Sequence, residues 1–128
     1  MHLFEETICI GQRRPTDKDE QVILFVKMKP GRKLDAALRS RIKDEIRKAL
    51  SPRHVPKYIF EVPEIPYTIN GKKVELAVKR IVSGIKNAPS SAVANPECFK
   101  YYEPYFHVEQ RAREQEEEDL KIPARSKL

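Results

Sequence analysis

The stretch IPYTINGKKVE, residues 65–75, sets an Asn-Gly pair between two segments whose apolar residues recur at different periods. Asn-Gly between alternating apolar residues is a strong hairpin signal, because both residues tolerate the positive φ of a type I′ turn. On the N-terminal side Ile65, Tyr67 and Ile69 alternate with Pro66 and Thr68, as in an extended segment with one covered face. On the C-terminal side Val74, Ala77, Val78, Ile81 and Ile85 follow helical spacing, ending near Gly84, so no returning strand is predicted. The pair marks an extended-to-helix junction. A helix start carries about +0.5 of an elementary charge and favours acids, which makes Lys72 and Lys73 there unfavourable unless an anion is brought to them. Free backbone N–H groups beside an ammonium suit a phosphate or carboxylate; two solvated lysines beside a helix cap are the plainer alternative.

Working outward, Tyr58 to Val62 offers a short strand, and Pro63 and Pro66 confine the following residues to an extended loop. Upstream, Leu34, Leu38, Ile42, Ile46 and Leu50 step by four, predicting a helix from an N-cap at Asp35 to Leu50, before Ser51-Pro52. Arg39, Lys43 and Arg47 line another face of that helix, either as solvated surface or as a contact for a polyphosphate. Leu3 to Gly11 and Gln21 to Met28 read as two strands, the second more buried, joined by a polar loop with a turn at Pro15, Thr16 and Asp17. The predicted fold is α+β: a small mixed sheet of about three strands packed with helices in the order β-β-α-β-α, over residues 1–86.

Residues 87–107 begin with a small, polar, proline-bearing stretch and read as a linker, wrapped over the surface or mobile, followed by FKYYEPYF. Those aromatics are expected to dock as a latch or to present an interface patch. Residues 108–128 form a charged tail, a solvated helix or a disordered arm, because VEQRAREQEEEDLK is nearly devoid of apolar residues. The chain ends in Ser126, Lys127 and Leu128, a tripeptide that a peroxisomal import receptor reads as an address.

The 128 residues suffice for one core. The longest apolar run, Val22–Val26, is too short for a membrane span, and the N-terminal residues lack a secretory pattern, so no membrane partner is expected. Cys9 and Cys98 stand 89 positions apart, and His2, His54 and His107 are scattered, so neither a disulfide framework, a metal site nor a catalytic triad is predicted. The net charge of +6 is uneven: residues 1–100 hold 20 basic and 12 acidic side chains, residues 101–128 hold 5 and 7. A basic body invites a polyanion. Single-stranded nucleic acid also wants aromatics interleaved with the charge, and five of the ten Phe and Tyr fall between Phe99 and Phe106, at or beyond the end of the basic region. An acidic nucleotide or cofactor fits the charge better than nucleic acid does.

The segments DEQVILFVKM, SPRHVPKYIFEVPEIPYTINGKKVELAVKRIVSG and ANPE resemble the C-terminal lid of acetoacetyl-CoA synthetases, in the superfamily of adenylate-forming enzymes. The resemblance covers roughly residues 4 to 97, and PYTINGKK is similar to that superfamily's late Pro-x-Thr-x-(Ser/Asn)-Gly-Lys signature. It implies that Lys72 is the lysine acting in adenylation, with Thr68, Asn70 and Gly71 in the substrate-binding loop beside Pro66. ATP, the acyl-adenylate and CoA are the implied ligands. CoA contacts are expected near Arg53 and along Arg39, Lys43 and Arg47. Mg²⁺ is expected on the family's large N-terminal domain. That domain, and the hinge, hairpin and helix preceding Leu3 in the family, do not occur in these residues. The expectation is therefore a partial, truncated lid that needs an N-terminal ATP-binding domain as partner and is inactive alone. The alternative is a non-catalytic basic module that keeps the lid fold and binds nucleotide, CoA or a protein. The resemblance implies a cytoplasmic location, the C-terminal tripeptide a peroxisomal one.

Overall fold

QVILFVKM is apolar almost throughout because it forms the middle strand of a sheet covered on both faces. The computed structural model describes residues 4–49, 55–67, 74–84 and 93–121. Strands β1 (Phe4–Gln12), β2 (Gln21–Met28) and β3 (Tyr58–Glu61) lie in the order β1-β2-β3. β1 runs antiparallel to β2, Ile8 opposite Phe25 and Ile10 opposite Ile23. β3 runs parallel to β2, Leu24 opposite Ile59 and Phe25 opposite Phe60. In the polar loop between β1 and β2, the Asp17 N–H donates to Arg14 O at 2.9 Å, closing the expected turn. The parallel pair needs a longer crossover, and α1 (Ala36–Ala49) supplies it. The mixed three-stranded α+β fold is the one the sequence predicts.

Asp35 is the N-cap of α1: its Oδ1 accepts from the Leu38 N–H at 2.8 Å, satisfying one of the helix's orphan donors. Leu34, Leu38 and Ile42 are buried, with Ile46 beside them, against Leu24, Val26, Met28 and Ile59 on one face of the sheet. The other face carries Ile8, Ile10, Ile23, Phe25 and Phe60 and receives α2 (Glu75–Val82) through Val78 and Val82. On either side of residues 68–73, which lie outside the described residues, the chain is extended up to Tyr67 and helical from Glu75. α2 ends at Gly84, whose φ of 92° suits a residue without a side chain. An added Cβ would also stand 2.7 Å from the Phe106 ring.

Most of the stretch read as a linker, up to residue 92, lies outside the described residues. From Val93 onward, Val93, Cys98, Phe99, Tyr102 and Tyr105 belong to the same core as α2. Cys98 and Phe99 lie on one 3-10 helix, Pro96–Tyr101, and Tyr105 on a second, Glu103–His107, with Tyr102 between the two. Phe25 meets Tyr102 and Tyr105 edge-on at 5.0 Å each, and Phe60 meets Tyr105 at 4.7 Å. Phe99, Tyr102 and Tyr105 are thereby spent on the core, while Tyr101 is exposed. The physical reason is area: α2 has eight residues, too few to cover that face of the sheet alone.

Charged residues 108–121 form α3 (Val108–Lys121). Val108 is buried, and Ala112 packs at the core's margin. Beyond that the helix is held by polar contacts. The Gln115 Nε2 donates to Ile59 O at 2.9 Å on edge strand β3, and the Arg39 guanidinium pairs with Asp119. At its N-terminal end Arg14 donates to both oxygens of Glu109, at 2.8 and 2.6 Å, and to Phe106 O at 2.8 Å. No helix among the described residues is long and apolar enough to cross a membrane.

The Arg14 hydrogen bonds lower the Glu109 carboxyl from its ordinary 4.5 to about 2, against a smaller upward push from burial. A folded-state value below the unfolded one adds stability that is complete above pH 4.5 and is lost as pH falls toward 2. Half of the Glu109 side chain is exposed, so solvent screening keeps the contribution to no more than about 1 kcal/mol. Glu109→Gln is expected to flatten the acid limb of urea midpoints between those two pH values. Part of the limb should persist, because Arg14 also lowers Asp17. An unchanged acid limb would show that Glu109 is not paired in solution.

Candidate functional site at the stem of the 68–73 loop

Thr68, Asn70, Gly71 and Lys72 lie outside the described residues, as do Arg53 and Ser126, Lys127 and Leu128. What the structure describes is the frame from which the 68–73 loop departs and to which it returns. The Val74 N–H donates to Pro66 O at 3.2 Å, so the two ends of this six-residue loop meet at its base. Val74 then opens α2 with no side-chain cap, and Glu75 places an acid in the first turn, in keeping with the helix dipole.

The approach to the loop is extended and lies outside the three-stranded sheet, with an isolated β-bridge at Tyr67. Val62 N–H still donates to Val26 O at 2.9 Å; beyond it, Ile65 and Pro66 are buried without a strand partner from the sheet. Their backbone is satisfied instead by residues 94–102. The Tyr102 Oη donates to Glu64 O at 2.7 Å. The Asn95 Nδ2 donates to Ile65 O at 3.1 Å, and its Oδ1 accepts from the Tyr67 N–H at 3.1 Å. The Ala94 N–H donates to Tyr67 O at 2.9 Å. Burial pushes the Tyr102 phenol well above its usual range, so it remains a donor across the physiological pH scale.

Sequence reasoning assigned no role to Asn95, and to Tyr102 only a place in the aromatic latch. ANPE held the available signal: an Asn before Pro is kept out of the helical region, and Asn95 sits at φ −129° as Pro96 starts the first 3-10 helix. Gln12 was missed as well. It is fully buried at the end of β1, accepting from Gln21 Nε2 at 2.7 Å and donating to Val82 O at 2.8 Å and Tyr105 O at 3.0 Å. It thereby ties β1 to the end of α2 and to the second 3-10 helix.

The basic stripe of α1 lies on the opposite face of the sheet from the stem residues. α1 packs on one face of the sheet, whereas Ile65 and α2 pack on the other. Arg39 is engaged by Asp119, Arg47 by Asp44 at 2.9 Å, and the Lys43 Nζ donates to Lys57 O at 3.3 Å. A groove of about 620 Å³ between α1, β3 and α3 is lined by Arg39 and Arg111 but also by Glu61, Glu114, Glu118 and Asp119, an acid-rich wall that disfavours phosphate. Among the described residues no group of three or more His, Cys, Asp or Glu is arranged to hold a metal ion. Burial pushes the Cys98 thiol up to about 11, which removes it as a nucleophile near neutral pH.

A three-stranded sheet with one crossover helix, followed by a tethered loop at an extended-to-helix junction, defines a class. The chain belongs to the AMP-binding enzyme C-terminal domain family, whose model matches residues 3–72. It is 48% identical over 101 residues to malonamoyl-CoA synthetase of Penicillium aethiopicum and 44% identical over 100 residues to acetoacetyl-CoA synthetase of Caenorhabditis elegans. Those alignments cover 77% and 78% of this chain and 14% of each relative. The solved structure of acetoacetyl-CoA synthetase from Streptomyces lividans superposes with a TM-score of 0.70 at 38% identity, covering 81% of this chain and 16% of that one. The chain thus spans about one seventh of the length of the curated relatives it matches, and it corresponds to the C-terminal portion of acyl-CoA synthetases.

Proposed function

We propose that this chain is the lid of an ATP-dependent acyl-CoA synthetase of the acetoacetate–CoA ligase type, and that Lys72 serves its adenylation step. The observation that carries the reading is the 44% identity to an acetoacetyl-CoA synthetase, joined to PYTINGKK at an extended-to-helix junction. In the first half-reaction a carboxylate oxygen attacks the α-phosphorus of ATP, the bond to the β-phosphate oxygen breaks, and pyrophosphate leaves with its electron pair. An ammonium between the carboxylate and the α-phosphoryl oxygens stabilises the charge that builds there. In the second, the CoA thiol attacks the acyl carbonyl, gives up its proton and displaces AMP. Lys72 is assigned to the first step, with Thr68, Asn70 and Gly71 forming its loop. Arg53 and the Arg39, Lys43 and Arg47 stripe are the proposed CoA contacts, the stripe requiring release of Arg39 from Asp119.

Acetoacetyl and malonamoyl groups both carry a second carbonyl two carbons from the one that becomes the thioester. The substrate class proposed is accordingly a short 3-oxo acid or its amide analogue. The chain alone is expected to form no acyl-CoA. Joined to the N-terminal portion of an acetoacetyl-CoA synthetase, it is expected to yield acetoacetyl-CoA, AMP and pyrophosphate. A folded joined protein that forms none would overturn the reading.

For location we propose the peroxisome, on Ser126, Lys127 and Leu128. A fluorescent reporter ending in residues 117–128 should become punctate with peroxisomes and turn diffuse when Leu128 is removed. Diffuse signal with the intact tripeptide would favour the cytoplasm.

A further inference from the structure

Backbone groups on an extended segment are ordinarily satisfied by a neighbouring strand. Between Glu64 and Tyr67 the described residues supply only a single β-bridge, at Tyr67, whose carbonyl accepts from the Ala94 N–H, and Pro66 contributes no N–H. One side chain supplies the remaining strand-like contacts. The amide of Asn95, 7% exposed, offers a donor to Ile65 O and an acceptor to Tyr67 N–H, the pair of contacts that a strand residue would make. Those partners fix the orientation of its amide, since a carbonyl faces Nδ2 and an N–H faces Oδ1. The Ala94 N–H and the Tyr102 Oη secure the positions on either side, and Val74 closes the loop from beyond.

We infer that Asn95 is a positioning residue for adenylation: it holds the stem from which the 68–73 loop carries Lys72 to the reacting groups. The inference rests on the reading of Lys72 given above. Asn95 touches neither substrate nor reacting atoms. It acts by fixing where the loop departs, and a displacement of about 1 Å at such a stem costs on the order of a hundredfold in rate. The thioester step does not use the lysine and should not depend on the clamp.

Two measurements test this. In the free chain, Asn95→Ala should speed amide hydrogen exchange at Tyr67 and Ala94 while leaving Ile23 to Phe25 of β2 unchanged; unaltered exchange at Tyr67 overturns the clamp. In the chain joined to an ATP-binding N-terminal portion, Asn95→Ala should lower acid-dependent ATP–pyrophosphate exchange about 10- to 100-fold. Consumption of preformed acyl-adenylate by CoA should change by less than about twofold. Asn95→Asp should behave like Asn95→Ala, because a carboxylate would then face Ile65 O. Equal losses in both half-reactions would make Asn95 a general structural residue and overturn the proposal. If Lys72→Ala leaves adenylation intact, the reading of Lys72 fails, and the inference that Asn95 positions it fails too. The exchange data would still report on the clamp separately.

Discussion

Lys72→Ala, in the joined enzyme, is expected to lower the rate of acyl-adenylate formation by about two to three orders of magnitude. The thioester step, started from preformed acyl-adenylate, should stay within about twofold of the unsubstituted protein. The split follows from charge. In adenylation two anions are driven together, and an ammonium aimed at the developing charge lowers that barrier; in the second step a neutral carbonyl is attacked and AMP departs. The fall should appear in kcat with little change in KM for ATP, because an interaction made only in the transition state is lost. Lys72→Arg should rescue poorly: a planar fork replaces a compact ammonium on a flexible stem. The neighbouring lysine provides a control. Lys73→Ala is expected to have a far smaller effect, since Lys73 falls outside the signature that ends at Lys72. Equal effects of the two substitutions would place the charge in the wrong residue.

Tyr102→Ala should carry the largest stability loss of any single truncation in the C-terminal third, about 3–5 kcal/mol. The side chain is fully buried, edge-on to Phe25, and its hydroxyl holds Glu64 O. Against a total stability of about 5–15 kcal/mol for a domain of this kind, that loss is large. Tyr102→Phe keeps the ring and removes the hydroxyl, leaving a buried carbonyl without its donor, and should cost about 1 kcal/mol. Urea denaturation of both variants checks this. Near-native midpoints for Tyr102→Ala would mean that residues 93–107 are not part of the core in solution.

The elements that sequence periodicity revealed are those whose side chains answer to a single neighbour. β2 reads as buried because both of its faces are covered, and α1 reads as amphipathic because Leu34, Leu38 and Ile42 meet one face of the sheet. The junction at 65–75 was legible because the apolar period changes across it. Residues 99–106 were read as a latch from their aromatic content but not as helical, although the signal is there: Phe99, Tyr102, Tyr105 and Val108 recur every three residues and all four are buried. A period of three belongs to the 3-10 helix, and a search tuned to two and 3.6 passes over it. α3 is docked by Arg14, Gln115 and the Arg39–Asp119 pair, contacts between residues far apart in sequence that leave no periodic trace. Gln12 and Asn95 escaped for the same reason: each is a polar side chain whose partners lie far away in the chain.

Of the candidate site, Lys72 and its loop were read from the signature, whereas the clamp beneath them emerged from the fold alone. The α1 stripe shows the opposite case: Arg39, Lys43 and Arg47 look free in sequence, yet each has a partner within the chain.

The most direct measurement is ATP–pyrophosphate exchange dependent on acetoacetate, made with the N-terminal portion of an acetoacetyl-CoA synthetase in the presence and absence of this chain as its lid. If the chain supplies the adenylation lysine, exchange appears with it and vanishes when Lys72→Ala is introduced. Exchange that proceeds equally without the chain, or that survives Lys72→Ala undiminished, would contradict that role.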